Sequence, residues 1–451
     1  MRAIIIGVLA AIAAGAVLWF LTDAASRSEL TRQGYAVAGN GAFVFACIGI
    51  PIITAVGWAG FWIQFIRQRR RDYAVSAVPT VIGIIAVPIS AILGLVLTNI
   101  IYPPYARDAF QARAGHATVL LDNGRVLVTG GTGNHGVLRT TRIRDADGRW
   151  ISGPIMAIGR SGQAATALGD GRVLISGGCC AGTGAIGRDE ILDSGATAFQ
   201  LLDSGVGRKS HSAIRLADGR VFAVGGESPS GDVAAALLFD PSSRAWTPAE
   251  RMLAPRESVA AALQGDGTVV VAGGFLPSEP RDAEVYDPKA SRWRTTSGPG
   301  PITPGPSALS LPDGRTLWIS RAGLRGDARA QIYDGGTDRW SEAPWPADLI
   351  DGFSLAGLRD GRVLIAGGVA VAIGVETPDT LQRTWLLDPT TLTIVAGPPM
   401  RQPRSLHTAT TLRDGTVLVV AGFRKSGYLD DAEIYDPASN TWKDAGSLTL
   451  S

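Results

Sequence analysis

Hydrophobic and polar positions follow two different rules along this chain of 451 residues. In residues 1–106 the apolar positions are continuous. Three uncharged runs, at about 3–21, 42–66 and 75–102, fill most of that stretch. A helix crossing ~30 Å of hydrocarbon needs about 20 residues, so each run predicts a membrane-spanning helix. The first run follows Arg2 but has no small-x-small cleavage site behind it, which favours a retained helix over a removed leader. Pro88 falls inside the third run and predicts a kink there. From residue 107 onward the pattern breaks into short apolar segments. They are separated by Asp-Gly, Gly-Gly and Asp-Pro, the punctuation of strands and tight turns.

This second stretch repeats. Turn glycines stand at Gly124, Gly171, Gly219, Gly267, Gly314, Gly361 and Gly415, with steps of 47, 48, 48, 47, 47 and 54. Most turns lead into an apolar strand ending in a Gly pair, as in RVLVTGG, RVLISGG and RVLIAGG. A third apolar segment ends in Asp. Six residues after Asp240, Asp287, Asp334 and Asp436 come Trp246, Trp293, Trp340 and Trp442. Trp150 follows Asp145 by five, while Phe199 and Ile394 take this place in the second and sixth units. Asp-Gly suits a tight hairpin. The Gly pair marks backbone with positive φ or no room for a Cβ. The Trp is a large plate for packing one unit on the next. The expected fold is therefore all-β: seven four-stranded units arranged radially as a propeller, preceded by three transmembrane helices. The fifth unit departs, with Ser320-Arg321 in place of the Gly pair, and no strand exchange that would seal the ring is visible.

Charge separates the same two regions. Residues 1–106 hold seven Arg and three acids, leaving 35 basic and 37 acidic residues of the chain's 42 and 40 for 107–451. The net +2 thus averages a basic anchor with a slightly acidic propeller. Arg67, Arg69, Arg70 and Arg71 crowd the short loop between the second and third runs, which places that loop in the cytoplasm and everything after 102 outside. No ionisable side chain lies within the runs, so the helices alone are poor ion carriers. The near-neutral balance offers no footing for nucleic acid, and three Cys rule out a disulfide scaffold. The bias of 38 Arg against 4 Lys points to a bacterial source. The expected location is a bacterial inner membrane, with the propeller on the periplasmic or extracellular side.

The segments NGRVLVTGG, AEVYDPKASRW and MAIGRSGQ resemble the kelch repeat, over about 110–448. The resemblance implies a seven-bladed kelch β-propeller like the central domain of galactose oxidase, a copper enzyme. A shared fold is nearly silent on activity. That family's copper site needs two Tyr, two His and a Tyr–Cys cross-link. Here Tyr286, Tyr333 and Tyr435 occupy a repeat position beside the strand-three Asp, which marks them as structural. The copper motif is not matched, and no catalytic residue, cofactor or metal site is carried over.

Other candidate chemistry sits where units join. Arg113, Arg160, Arg208, Arg256 and Arg404 begin first strands, and His116, His211 and His407 follow three residues later. Met156, Met252 and Met400 precede such an Arg by four. Regular spacing favours a structural role, with Arg and His satisfying backbone groups between blades. The functional reading is a cationic rim on the face that carries the strand-two-to-three loops. Cys179 and Cys180 lie on that face too and form a candidate redox pair outside the cytoplasm. The linker 103–112 is short, so this face is expected to lie near the membrane. The expectation is a non-catalytic scaffold or accessory subunit that contacts other membrane proteins, with 370–377 as a contact loop. The alternative is a periplasmic carbohydrate-binding or oxidoreductase-type propeller, although no motif supports a sugar ligand.

Overall fold

Each Asp-Gly turn folds its flanking apolar segments into an antiparallel hairpin. In the first, Ala117–Leu120 pairs with Val126–Thr129 around Gly124. All seven turn glycines sit at φ between 80° and 91°, left-handed backbone that other residues adopt at a cost. The turn Asp caps its own hairpin: Asp170 Oδ1 accepts from Arg172 N, and Asp218 Oδ1 from Arg220 N.

This computed structural model describes residues 112–449, apart from 135, 181–182, 204, 229–230, 233, 257, 275–281, 300–305, 322–327 and 371–378. These residues belong to the second of two units, Gln111–Ser451. The three expected membrane helices, the Arg67, Arg69, Arg70 and Arg71 loop and most of the 370–377 loop lie outside the described residues. Among the described residues no helix is long and apolar enough to cross a membrane.

Seven antiparallel sheets follow in chain order, each with four strands in sequential order and the sixth with a fifth short strand added. Blade 1 is Ala117–Leu120, Val126–Thr129, Thr141–Arg144 and Trp150–Ser152. Blade 7 is Thr408–Thr411, Val417–Arg424, Gly427–Asp436 and Thr441–Ser447. The five between them span 164–201, 212–248, 259–299, 307–343 and 349–396. First strands touch first strands all the way round, including the first strand of blade 1 against that of blade 7. They line the inside of a closed ring.

The second strands are buried on both faces, as with Val173–Ser176 and Val221–Val224, so their sequence is a continuous apolar run without alternation. The core is divided among seven hydrophobic clusters, one per seam between neighbouring blades. The repeat Trp belongs to the seam before its own blade. Trp246 of blade 3 donates Nε1–H to Asp189 of blade 2, and Trp442 of blade 7 donates to the Pro398 carbonyl of blade 6. The repeat Tyr packs on the Trp beside it, with ring centroids 5.0 Å apart for Tyr286–Trp293 and 4.8 Å for Tyr333–Trp340. Tyr286, Tyr333 and Tyr435 are fully buried, in keeping with their structural assignment.

Candidate functional site: the arginine face

Arg113, Arg160, Arg208, Arg256 and Arg404 stand just before the first strands of blades 1, 2, 3, 4 and 7. The residue two positions later takes left-handed backbone: Gly115, Gly162, Ser210, Ser258 and Leu406 have φ from 46° to 64°. In blades 2, 3, 4 and 7 that kink turns the chain from the outer strand of the preceding blade into the inner ring.

The five arginines are 0–3% exposed. Each sends Nη1 to a carbonyl at or near the end of its own second strand: Gly130, Gly177, Gly225, Gly273 and Ala421. The Arg carbonyl then accepts from the preceding blade's second glycine, as in Gly131 N to Arg160 O and Gly178 N to Arg208 O, 2.7 and 2.9 Å. A Cβ on Gly130 would lie 2.4 Å from Arg160 O, and one on Gly177 2.2 Å from Arg208 O. The Gly pair and the Arg are thus two halves of one latch between blades. In the seam between blades 5 and 6 both halves are missing: Ser320-Arg321 replaces the pair, and blade 6 starts without an Arg.

In three blades a carboxylate completes the latch. Glu190, Glu284 and Glu433 stand three residues before the strand-three Asp and pair with Arg160, Arg256 and Arg404 at 3.0, 2.9 and 2.6 Å. Each Glu also takes two backbone N–H groups from the incoming loop, for example Leu253 and Ala254 on Glu284. The recurring Glu was visible as AEVYD, AEIYD and DEILD but only the Asp of that pattern was read. In blade 1 this position is Arg142. Its Nε donates 2.7 Å to the buried carbonyl of Leu448, at the far end of the chain. Burial, and then the nearby Arg142, lower the Arg113 guanidinium to about 9. Burial lowers Arg208 to about 10.

The exposed cationic rim is therefore corrected. These guanidinium groups are inside the molecule and bonded to carbonyls, carboxylates and, for Arg113, the Thr140 hydroxyl, because an unpaired buried charge is too costly to keep. The histidines follow the same logic. His116 Nε2 bonds Thr408 Oγ1 of blade 7, His211 bonds Ser176 of blade 2, and His407 bonds Ser354 of blade 6, at 2.9, 3.0 and 2.7 Å. Each reaches the preceding blade. Burial lowers His116 and His211 to about 3 and drives His407 well down, so all three are neutral. Met156, Met252 and Met400 fill seam clusters. Among the described residues no group of three His, Cys, Asp or Glu is placed to hold a metal ion.

Cys179–Cys180 form a two-residue strand paired with Thr183–Ala185. Cys179 is half-buried, with its backbone bridged to Ser161 of the same blade. The side chain of Cys180 lies outside the described residues, and with it the expected redox pair.

Beside charged groups such as Arg401 and the Lys209–Glu227 pair, this face exposes apolar side chains. Leu253 is 61% exposed and Leu406 54%. Phe423 is 37% exposed and packs edge-on against Tyr428. Leu406 and Phe423 are neighbours, since Ser405 and Phe423 form a backbone bridge. Next to them the chain enters the propeller: Gly422 N donates to Arg113 O, 2.8 Å.

Residues 403–449, which are blade 7 with its leading loop, match the Kelch motif. The chain is similar in fold to a fungal alcohol oxidase of the AA5 family solved in complex with copper, at TM-score 0.48 and 18% identity. The match covers 75% of this chain and 66% of that one, so the chain spans just under two thirds of its length. No curated protein matches the sequence.

Proposed function

The chain carries a seven-bladed kelch-type propeller, and from that premise we propose that it is a membrane-tethered docking platform. In this reading it scaffolds, or serves as an accessory subunit of, a complex of membrane proteins outside the cytoplasm. The three apolar runs before residue 103 are the tether. A linker of ten residues spans at most ~35 Å, so the Arg113 end of the propeller stays close to the bilayer.

The observation that carries the reading is the exposed Leu406–Phe423 pair beside the point where the chain enters at Arg113. Exposed apolar side chains clustered in one place mark protein contact surfaces. The five arginines and three histidines expected to do chemistry on this face are buried where blades join. The test is co-purification from native membranes in mild detergent, comparing the wild-type chain with Leu406→Asn/Phe423→Ser. Asn keeps the left-handed backbone at 406 accessible. Loss of specific membrane partners from the variant, which still folds and unfolds cooperatively, is expected. An identical set of partners in both would overturn the proposal. Deleting 370–377 probes the second expected contact loop in the same assay.

A further inference from the structure

Two repeat positions fail in one seam. Phe199 replaces Trp in blade 2, and the cluster between blades 1 and 2 contains no Trp or Tyr. The sixth blade also lacks its repeat Trp, but Trp345 and Phe353 pack that seam instead. Between blades 1 and 2 the smaller Phe199 packs with Met156. A cavity of about 940 Å³ opens there, lined by Ile143, Leu192, Ser152, Ser194, Thr197 and Arg125 among others.

Arg125 is the second departure. In blades 2, 3, 5 and 6 the equivalent Arg172, Arg220, Arg315 and Arg362 each bind the turn Asp two residues earlier, with Nη2–Oδ2 distances of 2.6 to 2.7 Å. In blade 1 that position is Asn123, whose Oδ1 caps the Arg125 N–H at 3.1 Å and carries no charge. The Arg125 guanidinium has no hydrogen-bond partner among the described residues. It is half-buried and lines the cavity. Two carboxylates in the lining are already neutralised, Asp170 by Arg172 and Asp193 by Arg244.

We infer that this cleft is a binding site for a small monocarboxylate with a compact, partly apolar body. The ligand's carboxylate gives Arg125 the anionic partner that the turn Asp supplies in the other blades, bound in the planar two-point fashion that suits guanidinium. Its body lies against Ile143 and Leu192, and the Ser194 and Thr197 hydroxyls meet its polar edge. A monoanion fits better than a phosphate dianion because Asp122 also lines the cleft. This site is separate from the docking face and does not depend on that role.

The test uses the full chain in detergent, titrated with phenylacetate, with neutral phenylacetamide and with inorganic phosphate, and read by calorimetry. Saturable phenylacetate binding with a Kd of about 0.1–1 mM is expected, the range for a fragment held by one charged pair and a small apolar contact. The amide and phosphate are expected to bind roughly tenfold more weakly or not at all. Asn123→Asp supplies the intramolecular carboxylate of the other blades, and it is expected to abolish binding while keeping or raising the melting temperature. Arg125→Gln is expected to abolish binding as well. Partition into detergent is common to all three proteins and cancels in the comparison. Absence of saturable phenylacetate binding would overturn the inference. So would equal binding by either variant, or phosphate binding as tightly as phenylacetate.

Discussion

Arg256 is held by a carboxylate on one side and a backbone carbonyl on the other. Its Nε donates to Glu284 at 2.9 Å and its Nη1 to the Gly273 carbonyl at 3.0 Å. Glu284 in turn fixes the incoming loop through Leu253 N and Ala254 N. Removing one member of a fully buried pair strands the other, which typically costs about 3–5 kcal/mol. Glu284→Ala is therefore expected to lower the unfolding free energy by about that amount, measured by denaturant titration of tryptophan fluorescence. A loss within about 0.5 kcal/mol, as at an ordinary surface site, would show that the pair is not structural. Arg256→Lys is not a mild change, since an ammonium cannot reach the carbonyl and the carboxylate in the same planar fork. Leu406 teaches the opposite lesson. It adopts φ 53° with its side chain largely in solvent. Left-handed backbone costs a branched-chain residue roughly 1–2 kcal/mol, so Leu406→Gly is expected to raise stability by up to about 1 kcal/mol after the added chain entropy is counted. An unstrained Leu406 would instead give a net loss. Strain retained at an exposed apolar side chain is consistent with a contact role rather than with packing.

At the level of the blade, the chain's own punctuation carried most of the architecture. Asp-Gly, the Gly pair and the Asp-x5-Trp spacing each correspond to one physical need, and most blades around the ring meet it with the same residues. The latch was only half legible. Regular spacing pointed to a structural Arg, but burial depends on what the neighbouring blade places over it, and no single repeat contains both halves. Glu190, Glu284 and Glu433 were overlooked because their alternation with apolar residues looks like an outward-facing strand position. The cleft was hidden for a related reason: Asn123 and Phe199 are each unremarkable substitutions, and only the fold brings them to one seam. The position itself can be tested. Phe199→Trp restores the residue that blades 3, 4, 5 and 7 use, and the Trp is expected to fill the space beside Ile143 and Leu192. A gain of about 1 kcal/mol is expected from added buried apolar area, measured by thermal unfolding, with phenylacetate binding weakened in the same variant. A large destabilisation would mean that the seam has no room for the ring.

Across the whole molecule, two consequences of closing the ring can be separated. The first is pH dependence. His116, His211 and His407 are neutral in the folded chain, with His116 and His211 lowered to about 3 by burial, while the unfolded chain titrates near the ordinary value of 6.5. Between those values the unfolded state binds more protons, so stability is complete above 6.5 and is lost as pH falls toward 3. Asp189, raised by burial to about 6, acts in the opposite sense and offsets part of the loss below that pH. Three groups outweigh one, so urea midpoints should drop on going from pH 7 to about pH 4.5, and His211→Gln should flatten the slope; an unchanged slope would place the acid sensitivity elsewhere. The second consequence is the seam itself. All four strands of blade 1 come from 117–152 and all four of blade 7 from 408–447, so no strand is shared across the join. The ends are held by side chains and backbone alone: Trp150 Nε1 on Ala445 O at 2.8 Å, Arg142 Nε on Leu448 O at 2.7 Å, and Arg413 on the Asp122 carbonyl. The other six seams are also joined by continuous chain, so this one should open first. Arg142→Ala leaves the buried Leu448 carbonyl without that donor, at a cost of about 1–3 kcal/mol. Hydrogen exchange is then expected to accelerate in Ala117–Leu120 and Thr441–Ser447 before it does in Val221–Val224. Uniform acceleration across all blades would mean that the ring unfolds as one unit and that its join is no weaker than the rest.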